Sequence, residues 1–220
     1  GKTGCALADC FAKYEQYNIY KIGVELEGVE ETSFGNFPRD EIYRFPEYEE
    51  PEEYEEKCPS FKNFFKTVEG EILFIVDGSE YISAASLRIL ETFKKSKDII
   101  NILYIRQDIE FFPQKKQMHE RAVFNILQEY ARSGVFERIY LIDVPTVESF
   151  LEELPMTEYY EKIYELVSST LHMMNVYNHI KSVSDTFSPP HEAARISTIG
   201  ISVIEGEIKL FFSLDDVDEM

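Results

Sequence analysis

The residues of this chain equipped to do chemistry collect at glycine turns and at the ends of apolar runs. Gly1-Lys2-Thr3-Gly4 leads straight into a helical pattern, and Gly1 and Gly4 let the backbone approach a ligand closely. An apolar run over 71–77 ends in Asp77 and continues into Gly78, Ser79, Glu80 and Ser83, while a run over 138–143 ends in Asp143. Open α/β sheets take their ligands at the carboxyl ends of strands, so Asp77 and Asp143 mark a ligand edge. Glycine N–H groups at such an edge cradle anions, whereas Asp77 and Glu80 oppose them. Two like unit charges ~6 Å apart at an effective dielectric of about 20 repel by roughly 2 to 3 kcal/mol. Lys2 offsets part of that repulsion, and a divalent cation such as Mg2+ bridging Asp77 and a phosphate reverses its sign.

Hydrophobic spacing sets the framework that carries these residues. Three short runs, over 71–77, 100–106 and 138–143, are apolar on both faces and alternate with two amphipathic helical stretches. That pattern predicts an α/β fold with a doubly wound, mainly parallel sheet covered by helices on both sides. Leu7, Cys10, Phe11 and Tyr14 share one face of a first helix, and 18–24 reads as a strand ending near Glu25 and Glu27. A strand is expected to feed the glycine turn at Gly1, as in any α/β unit. Ser83 marks the start of a helix over 83–93, and Gly134 stops a helix over 117–132. The longest helical pattern spans 155–178. A short helix over 191–196 comes after Pro189-Pro190, and strands at 199–204 and 207–214 around Glu205-Gly206 predict a C-terminal hairpin before the acidic tail.

Composition narrows the function classes. With 220 residues, 44% of them hydrophobic, the chain can bury a substantial core. Its 41 acidic and 22 basic residues give a net charge of −19, which repels phosphate backbones and argues against a nucleic-acid partner. There is no membrane-length apolar run and no leader pattern, so a cytoplasmic location is expected. Cys5 and Cys10 sit in a helical pattern as small hydrophobes rather than as metal ligands. The acidic run over 47–56, with its prolines, reads as a solvated connection carrying one short helix, and the tyrosines of 43–54 as packing over a sheet edge.

The order of elements resembles the nucleotide-binding half of the tubulin and FtsZ superfamily across residues 1–203, with the hairpin and tail, 204–220, standing outside it. The resemblance rests on 99–143: a strand, the loop Gln107-Asp-Ile-Glu-Phe-Phe-Pro-Gln-Lys-Lys116, a helix, and a strand reading Tyr140-Leu-Ile-Asp-Val144. The long helix after 155 falls where that family places its central helix. The resemblance implies a GTP edge lined by Gly1, Thr3, Gly4, Gly78, Ser79, Ser83, Asp143 and Tyr164. Three signatures depart from it. Asp77-Gly-Ser-Glu-Tyr-Ile-Ser83 replaces the glycine-rich phosphate loop, Tyr164 and Glu165 stand where the guanine-binding residue belongs, and Glu192 is the one candidate catalytic acid in the loop after the long helix. Together the match and its departures imply a divergent relative that binds nucleotide weakly or not at all, hydrolyses GTP inefficiently, and acts by self-association or through another protein.

Other readings compete. Gly1-Lys2-Thr3 matches the end of a P-loop, Gly-x-x-x-x-Gly-Lys-Ser/Thr, whose lysine meets the β and γ phosphates. A Rossmann enzyme needs an acid some twenty residues after its glycine turn, and Glu25 or Glu27 supplies it, though that leaves the long helix unexplained. His191-Glu192 lacks the second histidine of a zinc-protease helix, and His119 and His172 read as structural or surface residues rather than ligands.

Overall fold

The computed structural model describes residues 1–24, 42–93, 99–149, 151, 155, 158–180, 191, 193–198, 200–204 and 207–211. The chain opens with helix α1 (Lys2–Phe11) and strand β1 (Lys21–Val24), which pairs in parallel with β2 (Ile42–Phe45). Helix α2 (Pro51–Glu56), with proline at its first turn, leads towards β3 (Glu71–Asp77). A 3-10 turn over Tyr81–Ala85 runs into α3 (Ser86–Leu90). Next come β4 (Ile99–Arg106), α4 (Gln114–Arg132), β5 (Arg138–Asp143), α5 (Val144–Ser149), α6 (Tyr159–His179) and β6 (Ile196–Thr198). Strands β3, β4, β5 and β6 form one sheet in that order, every pair parallel. The predicted hairpin is present as β7 (Gly200–Ile204) and β8 (Glu207–Phe211), paired antiparallel.

Strand β4 shows why the sheet is buried on both sides. Leu103 and Ile105 point into a cluster with Leu7 and Phe11 of α1 and Ile163, Val167 and Leu171 of α6. Ile100, Ile102 and Tyr104 point the other way, against Leu90, Phe93, Val123, Leu127 and Ala131. Alternate residues thus feed opposite helical layers, which explains the unbroken apolar run. Fully burying one such aliphatic side chain contributes about 1.5 to 3 kcal/mol. Among the described residues, no helix is long and apolar enough to cross a membrane.

Several local expectations change. The 83–93 helix starts earlier, as a 3-10 turn from Tyr81, because the Ser83 side chain is drawn to His119 instead of capping. The 191–196 helix is absent among the described residues, and Ile196 opens β6 because Arg138 holds the Ala194 carbonyl and the Ser197 hydroxyl at the sheet edge. The 47–56 run carries the expected short helix as α2, but Tyr54 on it is buried and, with the flanking Phe45 of β2 and Phe61, packs against Ile82 and Ile89 in a third core. Its tyrosines and phenylalanines meet edge to face, Tyr43 and Phe61 with ring centres 4.9 Å apart. Glu25, Glu27 and the acidic tail lie outside the described residues.

Candidate functional site

The carboxyl end of β3 meets the amino end of α1, and Asp77 is the hub. This carboxylate is almost fully buried, at 4% exposure, and its position is fixed by four donors. The Thr3 hydroxyl donates to Oδ2 at 2.8 Å, and the Gln107 amide, just past β4, donates to the same oxygen at 2.8 Å. Oδ1 accepts from the Ser79 N–H at 2.8 Å and from the Ser79 hydroxyl at 2.7 Å. Both oxygens of this buried carboxylate are thus satisfied by hydrogen bonds from within the protein.

Glu80 takes the amino end of α1. Its Oε1 accepts from the Thr3 N–H at 3.0 Å, and its carboxylate lies against Gly1 so closely that a Cβ there would stand 1.2 Å from Oε2. Backbone N–H groups at a helix start attract anions, and here the protein's own carboxylate answers them. Gly4 presses on the strand, where an added Cβ would lie 3.2 Å from the Ile75 carbonyl oxygen. Tyr164 reaches the same spot from α6. Burial pushes its phenol up, the hydrogen bond with Thr3 opposes this, and the charges of Asp77 and Glu80 add to the rise.

Around the hub the loop after β3 is clamped to α4. His119 Nε2 lies 3.2 Å from the Glu80 carbonyl oxygen and 3.0 Å from Ser83 Oγ. Through these contacts His119 ties Ser83 and the Glu80 carbonyl to α4. Burial holds the His119 imidazole below its ordinary range. Beneath the loop, Gly78 leaves room for Tyr104, whose hydroxyl donates to Glu120 Oε1 at 3.0 Å. Arg106 Nε donates to that same buried oxygen at 3.1 Å.

The structure thus brings together Gly1, Thr3, Gly4, Gly78, Ser79, Ser83 and Tyr164. Asp143 shares the sheet edge, but from β5, and its Oδ2 accepts from the Thr146 hydroxyl at 2.7 Å and the Thr146 N–H at 3.2 Å to start α5. Glu192 lies outside the described residues. Sequence reasoning misses Gln107, because a glutamine after a strand carries no pattern that announces a partner 30 residues away. It also misses that Glu80 turns towards α1. The one signal in the sequence is that both flank the strand ends.

Among the described residues, no group of three or more His, Cys, Asp and Glu side chains is placed to hold a metal ion. The oxygens of Thr3 and Asp77 are hard donors beside the amino end of α1, and in this structure they are engaged with each other and with Ser79 and Gln107. Lys2, exposed at the first position of α1, supplies a cation at the same end. The sequence matches no protein-family model and no curated protein.

Proposed function

We propose that this chain is an α/β domain that binds a nucleoside triphosphate with Mg2+ at the junction of α1 and β3. The hydrogen bond between the Thr3 hydroxyl and Asp77 carries the reading. In P-loop sites a Ser or Thr at the start of a helix and an Asp at a strand end hold Mg2+ between them, and the lysine one residue earlier draws the β and γ phosphates. Gly1-Lys2-Thr3 and Asp77 have those residue types in that order, and Gln107 steadies the carboxylate. The cation removes the electrostatic objection that Asp77 and Glu80 raise against a phosphate.

A second reading keeps the resemblance to tubulin and FtsZ and makes the site a relic, with the protein acting by self-association or through a protein partner. The Glu80 carboxylate on the Thr3 N–H favours it, since an anion already occupies that donor. Calorimetric titration with ATP and GTP, with and without Mg2+, separates the two. The first reading expects binding tighter than about 100 μM that requires Mg2+. That binding should be lost in Thr3→Ala and Asp77→Asn and kept in Asp143→Asn. Absence of Mg2+-dependent binding to a folded chain leaves the second reading standing.

A further inference from the structure

Helix α4 buries one face against the sheet, through Val123, Leu127 and Ala131, and turns the other to solvent. On the outer face the apolar positions repeat at four-residue spacing: Met118, 62% exposed, Ala122, also exposed, and Ile126, 46% exposed. That spacing aligns them along one side of the helix. Phe111, just ahead of α4, is 85% exposed, and Val135, just past it, is 44% exposed. Apolar side chains exposed singly are ordinary, whereas a row of them marks a contact surface.

The row is symmetric about Ala122. Met118 and Ile126 stand four residues to either side of it, about 6 Å along the axis, and Lys115 and Glu129 seven residues to either side, about 10 Å. A two-fold axis at Ala122 that pairs α4 with an antiparallel copy of itself therefore sets Met118 on Ile126, Lys115 on Glu129 and Ala122 on Ala122. The small side chain at the crossing lets the helices come close. Beyond the helix ends Phe111 approaches Val135 of the second copy, and Arg121 meets the amide oxygen of Asn125, which accepts from a guanidinium.

The charges on this surface already stand where such a pair needs them. Lys115 is ion-paired with Glu50, and Arg132 with Glu129, the latter at 3.0 Å. Setting Lys115 on Glu129 of the second copy joins the two pairs into one row of alternating sign, Glu50, Lys115, Glu129, Arg132, on each side of the axis. Side chains already held in this way lose less freedom on association, and a network outdoes an isolated surface pair. The net charge of −19 opposes self-association in general, but α4 carries four basic and two acidic residues, and one of those acids, Glu120, is buried. Its outer face is thus a basic and apolar surface on an acidic protein, and a second acidic copy is drawn to it.

We propose that the outer face of α4 is a homodimer interface, a two-fold antiparallel helix pair centred on Ala122. It does not rest on either reading of the Thr3 and Asp77 site. With Met118, Ala122 and Ile126 as its apolar centre the dimer is a weak one, with a dissociation constant of about 100 μM.

Sedimentation velocity of the full chain from about 5 to about 500 μM at low salt tests it. The unmodified chain should pass from monomer to dimer across that range. Ala122→Glu, which puts like charges on the axis, should weaken the dimer by about tenfold or more. Lys115→Glu and Glu129→Lys should each weaken it by about fivefold, since each turns two symmetry-related attractions into repulsions. A mixture of these two variants in equal amounts should associate more tightly than either alone, because positions 115 and 129 then again face each other with opposite charge. All three substituted positions are exposed, and circular dichroism checks that the variants fold as the unmodified chain does. A chain that stays monomeric throughout the range leaves the face to a different protein and overturns the proposal. A dimer insensitive to Ala122→Glu, or a mixture no tighter than its components, overturns it equally.

Discussion

Glu80 closes the amino end of α1 through the N–H of Thr3, which lies 77 residues away in the chain, at 3.0 Å. A side chain that caps a helix from another element does two things at once: it satisfies a donor, and it holds a negative charge where an anionic ligand would sit. Glu80→Ala should therefore move stability and affinity in opposite directions. Loss of the cap should cost about 1 kcal/mol in urea unfolding. Removal of the charge should tighten Mg2+-nucleotide binding by about tenfold, equivalent to about 1.4 kcal/mol. Unchanged affinity in a folded variant would show that no phosphate approaches Thr3.

Asp77 is held by Thr3, Ser79 and Gln107, so truncating it strands buried donors. Asp77→Ala should lower unfolding free energy by about 3 kcal/mol, measured by urea denaturation at constant m-value. Gln107→Ala should cost less, near 1 kcal/mol, since it removes one of four donors.

His119 makes stability fall on the acid side. Burial lowers its folded pKa below the ordinary 6.5, so the unfolded chain takes up the proton first as pH falls. Its contribution is complete above pH 6.5 and is lost progressively as pH drops from there through the lower folded value. The difference in urea midpoint between the unmodified protein and His119→Gln should shrink between pH 7 and pH 5. A constant difference across that range would refute the assignment.

Gly78 and Gly134 are constrained for different reasons. An added Cβ at Gly78 would fall 1.7 Å from the buried Tyr104 hydroxyl, whereas Gly134 has open space but a φ of +76°. Gly78→Ala should cost about 2 kcal/mol or more through overpacking. Gly134→Asn, a residue that tolerates the left-handed region, should cost well under 1 kcal/mol. Thermal unfolding of the two variants checks the contrast.

The parallel sheet is legible in the sequence because β3, β4 and β5 are apolar on both faces, and such runs have few alternatives between helical stretches. Strand β2 is not, because Ile42–Phe45 is four residues long and lies beside an acidic run that dominates any window average. Its burial comes from aromatic partners such as Phe61 and Tyr54 that sequence spacing does not connect. β6 is hidden in the same way: Ile196–Thr198 is three residues, and its pairing depends on β5 rather than on its own pattern. At the site, residue types point to Thr3, Asp77 and Glu80, but not to the direction in which they face. Asp77 reads as a charge aimed at a ligand, yet in the fold its lone pairs are shared with Thr3, Ser79 and Gln107. The expectation that His119 is structural or surface rather than a ligand agrees with the clamp it forms with Ser83 and the Glu80 carbonyl.

Among the described residues, no backbone ladder joins the β1 and β2 pair to the four-stranded sheet. The seam is held by α1 lying across both and by the aromatic cluster around Phe45, Phe61 and Ile89. Apolar contacts of this kind lose strength on cooling, while strand-to-strand hydrogen bonding does not share that temperature dependence. The chain should consequently have a weak line in the cold: near 0 °C the layer of β1 and β2 loosens before the central sheet does, and warming to room temperature seals it again.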